Sequence, residues 1–302
     1  SGWSQIVDLG GGNGKGITIG KDDAGNKRWV LHRDVNAEEI SYVNDGLEED
    51  IANWTEINLS NNHKAADGGP SIAWGNDYWV GAGDDVAVNP APSDEDVLFV
   101  SNNGGGAWTT VSIASQQTND TGRVAAYKAD TTFFMAVQDQ IWKATADPTD
   151  ANNWSLQVDL AGAQDIQAMA YNGTDLWVCV GSSGEVHSSD DDWASATSRT
   201  GAHGSNNIFG VVYCTGTINK WVSVGGTGTI AYSDDGIAWS SATTGTTQHL
   251  RGVATDNTTI VAVGDSGTVL TSTDAINWSE ITTSFTDRLW SVACDIIGAG
   301  MR

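Results

Sequence analysis

Three of the few basic residues in the chain fall at corresponding positions of a repeated pattern, which indicates a shared role in anion binding. Only 14 of the 302 residues are Lys or Arg, whereas 38 are Asp or Glu. The position just ahead of the first β-strand of each repeat is expected near the mouth of a central channel. The residues aligned there or close by are Lys15, Pro70, Arg123, Gln167, Phe209, His249, Arg251, Arg288 and Trp290. A basic ring on an acidic protein would bind a carboxylate or sulfate group. Alternatively, these charges pair with nearby aspartates and hold the structure together.

A tryptophan closes each unit of the repeat, at intervals of 39 to 54 residues. The markers are Trp3, Trp54, Trp108, Trp154, Trp193, Trp239 and Trp278. Each unit contains four short β-branched or aromatic runs, which in the clearest copy, residues 250–282, are RGVATD, TIVAVG, TVLTST and NWSEIT. Such runs, bounded by Gly, Asn and Asp, predict strands. Four strands in about 40–45 residues are typical of a propeller blade.

The repeat therefore predicts an all-β fold, a seven-bladed β-propeller with four-stranded blades, as one domain over residues 1–302. The last unit is too short for a full blade. We expect residues 1–9 to close it as the outer strand, beside strands drawn from 286–302, because such closure removes exposed sheet edges. A third strand of that blade would be missing, irregular or supplied by another chain. Six blades with loose ends are the alternative.

The turn ahead of each closing tryptophan is polar and recurrent. An aspartate stands four residues before the tryptophan in four copies, and an asparagine stands five before it in another. These residues are Asp50, Asp150, Asp235, Asp274 and Asn103. Asp and Asn side chains bond the backbone two residues onward, so they favour tight turns.

The segment SNNGGGAW at 101–108 resembles the S-x-D-x-G-x-T-W motif of Asp-box, or BNR-repeat, propellers, with Asn in place of Asp. That group includes sialidases, sortilin-like receptors and photosystem II stability/assembly factor-like proteins. Most other copies here are one residue shorter. The resemblance implies a propeller whose Asp-box turns are structural and lie on the face away from the active sites of the group.

The sequence predicts a protein without enzymatic activity or a cofactor. Sialidase chemistry needs an arginine triad, a Tyr nucleophile with a Glu, and an Asp acid, but arginine is scarce here. No phosphate loop, HExxH motif or Ser/His/Asp arrangement is present in the sequence. A glycosidase that uses two carboxylates stays open as the alternative.

Packing accounts for eleven of the 14 tryptophans. Besides the seven markers, four occupy one place in the second strand, namely Trp29, Trp79, Trp177 and Trp221. The candidates for stacking on a sugar are then Trp74, Trp142 and Trp290. No metal site is predicted, although the acidic group of Asp84, Asp85, Asp94, Glu95 and Asp96 allows Ca²⁺ as an alternative to a solvated loop. Cys179, Cys214 and Cys294 are predicted to be buried thiols.

The two longest irregular segments, 59–70 and 83–96, are expected on one face and mark it as the binding face. The net charge of −24 argues against nucleic acid and against anionic membranes. The predicted function is a binding or structural module on a cell or virion surface, with a protein or glycan partner and as part of a larger assembly. Glycoside hydrolase and assembly factor binding a protein partner are the alternatives.

Overall fold

The computed structural model describes residues 13–34, 39–44, 55–58, 63–65, 72–85, 96–113, 122–160, 165–284 and 286–294. The chain forms an all-β propeller in which the described strands make six antiparallel sheets, each corresponding to one blade. Within the sheets each strand pairs with the next along the chain, apart from one extra strand in the second sheet. The predicted fold class, an all-β propeller, is confirmed.

The six sheets have the following bounds. Sheet 1 contains β1 (Asn13–Lys21), β2 (Lys27–Asp34), β3 (Glu39–Asn44) and β4 (Thr55–Asn58). Sheet 2 contains β5 (His63–Ala65), β6 (Ile72–Gly75), β7 (Tyr78–Asp85), β8 (Asp96–Ser101) and β9 (Thr109–Ile113). Sheet 3 contains β10 (Gly122–Tyr127), β11 (Phe133–Val137), β12 (Gln140–Ala144) and β13 (Trp154–Asp159).

The other three sheets repeat one pattern more regularly. Sheet 4 contains β14 (Ile166–Tyr171), β15 (Trp177–Gly181), β16 (Val186–Ser189) and β17 (Thr197–Arg199). Sheet 5 contains β18 (Ile208–Cys214), β19 (Lys220–Gly225), β20 (Ile230–Ser233) and β21 (Ser240–Ser241). Sheet 6 contains β22 (Leu250–Thr255), β23 (Ile260–Gly264), β24 (Val269–Ser272) and β25 (Ser279–Glu280).

The prediction of seven blades is wrong, because the described residues form six. The supposed seventh joined Trp3 and residues 1–9 to strands from 286–302. Among these, residues 286–294 form no named strand and instead pass beside β22, where a Cβ added to Gly252 would lie 3.0 Å from the Cα of Ser291. Trp3, residues 1–12 and residues 295–302 lie outside the described residues. A spacing of tryptophans therefore overcounted the sheets by one.

The second sheet departs from the predicted four strands because it has five. Strands β5 and β6 both pair with β7, along the same edge, with Ala65 opposite Gly83 and Ile72 opposite Gly81. The segment 59–70, predicted to be irregular, thus contributes β5, whereas 59–62 and 66–71 lie outside the description. In the segment 83–96, residues 83–85 end β7 and Asp96 begins β8.

The second strand of a sheet is the most buried element. All five residues are buried in β11 (FFMAV), β15 (WVCVG) and β23 (IVAVG). A strand that packs against neighbouring sheets on both faces needs apolar residues at every position, so its sequence lacks the usual alternation. The tryptophans of β7, β15 and β19 are at most 1% exposed, which places them in the core.

The chain divides into two units, residues 1–138 with 142–156 and residues 139–141 with 157–302. In the first unit, a buried cluster joins residues of sheets 2 and 3, including Leu98, Phe133 and Trp154. In the second unit, β14 contacts β18 and β18 contacts β22, so first strands of successive sheets lie side by side. Apolar residues between those sheets form the core of this unit. The single-domain assignment for 1–302 stays a prediction.

Candidate functional site

Five of the residues predicted to line a binding mouth occupy one structural position, a β-bulge in the first strand of their sheets. In each case the neighbours on either side pair with consecutive residues of the second strand, so the residue between them is extra. The bulged residues are Lys15, Arg123, Gln167, Phe209 and Arg251. A bulged residue leaves the ladder and its side chain is re-aimed. The alignment therefore found one equivalent position, inside the strand rather than ahead of it.

Not every bulged residue has a side chain that is accessible to a ligand. Gln167 is 6% exposed, and its Nε2 donates to the backbone oxygen of Asp165 at 3.5 Å. The side chains of Lys15 and Arg123 lie outside the described residues, as does Pro70. The structure instead brings together the predicted residues of sheets 5 and 6, where β18 contacts β22. We call this group the arginine–aromatic cluster, and it consists of Phe209, His249, Arg251, Asp265, Arg288 and Trp290.

Two arginines of the cluster share one carboxylate. Arg251 donates from Nε and Nη2 to the two oxygens of Asp265, at 3.0 and 3.1 Å, which is a bidentate pair. Arg288 approaches the same carboxylate through Nε at 2.7 Å. Burial opposes ionisation of Asp265, but the hydrogen bonds and charge of Arg251, reinforced by Arg288, outweigh it and keep the pKa of this carboxyl below its ordinary value. Two cations against one anion leave the group with an excess of positive charge.

Aromatic rings hold the guanidinium groups in place. The guanidinium carbon of Arg251 lies 4.6 Å from the ring centre of Phe209 and 5.3 Å from that of Trp290. Arg288 stacks on Trp290 at 4.6 Å. His249 meets Phe209 edge to face, with 6.2 Å between ring centres. Cation–π contacts of this kind orient an arginine without consuming its N–H donors.

The two arginines differ in exposure. The side chain of Arg251 is 16% exposed and that of Arg288 is 44% exposed. No described residue accepts a hydrogen bond from either Nη atom of Arg288. His249 is exposed, and Trp290 is half-buried. Arg251 is therefore the more buried of the two, while the side chain of Arg288 reaches the solvent.

Asp265 belongs to a short 3₁₀ turn that follows the second strand in sheets 4, 5 and 6. The three turns are Ser182–Gly184, Gly226–Gly228 and Asp265–Gly267. In each, the middle residue has a left-handed φ, of 58°, 53° and 56°. The first residue of each turn donates its N–H to the backbone oxygen of the residue that directly precedes the first strand of the same sheet. Asp265, for example, donates to His249 at 2.9 Å. The turns are thus hydrogen-bonded to the same end of the sheet at which the bulged residues lie.

The closing turns predicted from Asp and Asn lie between the third and fourth strands. In sheet 6, Ser272 donates to Asp274, whose Oδ1 accepts the N–H groups of Ile276 and Asn277 at 2.9 and 2.8 Å. The backbone N–H of Asn277 contributes most to lowering the pKa of Asp274, to about 2. Trp278 closes the turn through a 3.1 Å bond from Nε1 to the backbone oxygen of Ala275. Both oxygens of Asp274 thus accept hydrogen bonds from within the turn.

The other described copies have related geometry. Asp235 accepts two backbone N–H groups and Asn103 accepts one, while Asp150 caps a 3₁₀ turn by accepting the N–H of Asn152. Trp108, Trp154 and Trp239 each donate from Nε1 to a backbone oxygen of the turn. Asp50 and Trp54 lie outside the described residues.

Trp193 differs from the other repeat tryptophans that the structure describes. It lies four residues after Ser189, has a φ of 66° and donates its backbone N–H to Ser189 Oγ at 2.8 Å. Gly105 makes the equivalent bond to Ser101, so Trp193 occupies the left-handed position of the turn and not the closing one. It is fully buried, and its Nε1 has no partner among the described residues. The sequence spacing could not distinguish the two positions.

The sequence analysis missed two aspartates. Asp191 accepts from Ser189 and Ser195 as Asp274 does from its own turn, and the shared Ser-x-Asp spacing was the available signal. Asp265 joins Arg251 to Arg288, and its place directly after the IVAVG strand gave no local sign of this contact. Among the described residues, no group of three or more His, Cys, Asp or Glu side chains is arranged to hold a metal ion.

The three cysteines are free thiols. Cys179 and Cys214 are buried as predicted, whereas Cys294 is half-buried. Burial raises the pKa of Cys214 to about 11 and that of Cys294 to about 12. No helix in the described ranges is long and apolar enough to cross a membrane.

Comparison with known proteins places the chain by its fold. No protein-family model matches it, and no curated protein matches it. Among solved structures, YCF48 from Cyanidioschyzon merolae matches 97% of this chain and 92% of its own, with a TM-score of 0.68 and 13% identity. YCF48 bound to D1 peptide matches 83% of this chain and 78% of its own, with a TM-score of 0.58 and 13% identity. The likeness confirms the propeller and supports the resemblance to assembly-factor-like propellers. The Asp-box assignment stays a prediction, and at this identity the chain shares with these proteins a fold.

Proposed function

We propose that this protein is a non-enzymatic propeller that binds a protein partner through the arginine–aromatic cluster. The observation that carries the proposal is Arg288, whose side chain is 44% exposed while it is held on Trp290 and against Asp265. Arginine and tryptophan are the residues most enriched at the energetic centres of protein interfaces. Their pairing at the bulge end of sheets 5 and 6 supplies a charged and an apolar contact together.

A similar structure supports the choice of a protein over a glycan. YCF48 has been solved bound to D1 peptide, so a propeller of this fold accommodates a peptide. The proposal thus follows the assembly-factor alternative rather than a glycan-binding module or a glycoside hydrolase. A cell-surface or virion location and membership of a larger assembly stay predictions from the sequence.

The partner chemistry follows from the charges of the cluster. A peptide with an acidic side chain next to an aromatic or aliphatic one would pair its carboxylate with Arg288 and pack its apolar group on Trp290. Charge-assisted bonds from a guanidinium to a carboxylate are stronger than neutral ones. The long-range field of the protein is negative, since its net charge is −24. Binding to such a peptide should therefore become weaker at low salt, where repulsion is less screened.

The proposal is tested by selecting peptides from a random display library on the whole chain and measuring their affinity by calorimetry. Arg288→Glu should weaken the selected peptides by about thirty-fold or more, the loss of roughly 2 kcal/mol expected at an interface hot spot. Trp290→Ala should weaken them similarly. The matched control is Lys21→Glu, an exposed residue of β1, which should leave the affinity within about two-fold.

Two outcomes would overturn the proposal. One is a library that yields no peptide with saturable binding. The other is a set of peptides that bind wild type and Arg288→Glu equally well while that variant unfolds at the wild-type denaturant concentration.

A further inference from the structure

Two of the three 3₁₀ turns make a hydrogen bond that the third does not make to any described residue. In the first turn, the middle residue Ser183 donates its N–H to Asn207 Oδ1 at 3.0 Å. In the second, Thr227 donates its N–H to His249 Nδ1 at 3.0 Å. Asn207 and His249 are equivalent, because each directly precedes the first strand of the following sheet. Each of these turns is thus closed by an acceptor from the next repeat.

At the corresponding position beside the third turn, Asp265–Gly267, the chain carries a hydrogen-bond donor instead of an acceptor. The residue that corresponds to Asn207 and His249 is Arg288, which precedes Leu289 as those two precede Ile208 and Leu250. Its backbone is held beside the turn, since Gly267 donates its N–H to Asp287 at 2.7 Å and Leu289 donates to Gly264 at 2.9 Å. A guanidinium carries donors and no acceptor. Within the described part of the chain, nothing accepts the N–H of Ser266.

We propose that Ser266 N–H and the Nη atoms of Arg288 form a binding site for a carboxylate. In the other two turns, Asn207 Oδ1 and His249 Nδ1 accept the N–H of the middle residue. In the third turn, an oxygen of the ligand takes the place of these acceptors. The inference rests on the proposed function for the identity of the partner, which would supply the carboxylate as an acidic side chain or as a chain terminus.

The charges near the site favour one added anion. Asp265 is bound by Arg251 through both of its oxygens and by Arg288 through Nε, so this contact does not use the Nη donors of Arg288. Trp290 covers one face of the Arg288 guanidinium, which limits its motion. Asp287 is exposed beside the site and opposes binding by simple repulsion. A pre-positioned guanidinium with a backbone N–H matches the two oxygens of a carboxylate.

The site is tested by titrating the isotope-labelled full chain with sodium acetate against sodium chloride at constant ionic strength. Backbone amide shifts are followed by NMR. The Ser266 amide should shift with saturation in the millimolar range, as expected for one small ion held by a few charge-assisted bonds. The Thr227 and Ser183 amides, which are already bonded, are internal controls and should not saturate. An unsaturated Ser266 response over the same range would overturn the inference.

Two substitutions sharpen the result. Arg288→Asn places an acceptor where Asn207 has one and should abolish the saturable shift. Asp287→Asn removes the neighbouring negative charge and should tighten acetate binding by about two- to five-fold, as for one exposed charge pair. Wild-type acetate binding in Arg288→Asn, with that variant folded by its amide spectrum, would also refute the site.

The source of the carboxylate is distinguished with two probes, N-acetylglutamic acid α-amide for a side chain and N-acetylglycine for a terminus. Tighter binding of one identifies which type of group the partner presents. If acetate binds at Ser266 but no library peptide binds, the carboxylate site stands and the proposed function fails. If peptides bind while Ser266 stays unperturbed and Arg288→Asn has no effect, the proposed function stands and this site fails.

Discussion

The 3₁₀ turns Gly226–Gly228 and Asp265–Gly267 have the same backbone conformation and the same place in their sheets, but only the earlier one is closed by its neighbour. His249 accepts a hydrogen bond from the N–H of Thr227. Arg288, which has no acceptor, takes the corresponding position beside Ser266. A repeat protein satisfies its own hydrogen bonds as long as each unit meets another like itself. Where the succession changes, donors become available to other molecules. The open turn of sheet 6, Asp265–Gly267, is therefore the place to seek a ligand.

A buried histidine also stabilises the earlier turn, Gly226–Gly228. His203 is 2% exposed and contacts Thr229 Oγ1 through Nδ1 at 2.7 Å and Ser223 Oγ through Nε2 at 2.8 Å. Thr229 in turn bonds the backbone oxygen of Gly226. Burial lowers the pKa of His203 to about 4 from an ordinary 6.5. The closed turn thus depends on a neutral imidazole.

Acid should therefore weaken the closed turn, and this is the largest effect expected. A depressed histidine pKa contributes stability that is fully present above pH 6.5 and is lost as the pH falls toward about 4. The loss is about 3 kcal/mol, at 1.36 kcal/mol per pKa unit. Urea unfolding at a series of pH values measures it.

The matched variant is His203→Gln, which keeps a donor and an acceptor but does not titrate. Its free energy of unfolding should change less with pH between 6.5 and 4. His187, whose pKa burial also lowers, titrates in both proteins and cancels from the difference. Equal pH slopes for the two proteins would show that His203 does not support the turn in this way.

Asp274→Ala should destabilise the protein by about 1–3 kcal/mol, because the N–H groups of Ile276 and Asn277 lose their acceptor. The substitution compares a closing turn, whose acceptor lies within the turn, with the first two 3₁₀ turns, whose acceptors come from the next repeat. Thr273→Ala, at the exposed neighbouring position, is the control and should cost under about 0.5 kcal/mol. Denaturant midpoints that coincide for the two variants would contradict the expectation.

Amide exchange should show the smallest difference and the most direct one. The Ser266 amide is expected to exchange about two- to ten-fold faster than that of Thr227, since one hydrogen bond contributes about 0.5–1.5 kcal/mol. Hydrogen exchange followed by NMR measures both in one sample. Acetate should slow exchange at Ser266 alone, and an equal rate for the two amides would remove the distinction between an open and a closed turn.

The sequence predicted the local structure well, because strands and turns are encoded by neighbouring residues. The run IVAVG predicts a strand buried on both faces, and Ile260–Gly264 is one. The alignment also found the bulge position, although not its geometry, since a bulge depends on pairing with the second strand. The blade count was wrong because Trp3 and residues 286–302 matched the repeat marker and its spacing without evidence that they pair.

The site was harder to predict than the sheets. Arg251 and Trp290 were found as aligned positions, and Arg288 as a neighbour of one. Their meeting with Asp265 is a contact between separate segments, which no local pattern reports. The open N–H of Ser266 was also beyond sequence reasoning, because it becomes visible only when the two closed turns are compared with it.

The bulges have one further consequence, for the way such a protein changes over time. Lys15, Arg123, Gln167, Phe209 and Arg251 differ in size, charge and polarity, yet each holds the same bulged position. The residue at a bulge stands outside the ladder, so strand register does not depend on its side chain. Mutation at a bulged position that reaches the surface can therefore exchange one recognition group for another while the strand keeps its register, and a combinatorial library restricted to such positions would sample new ligands.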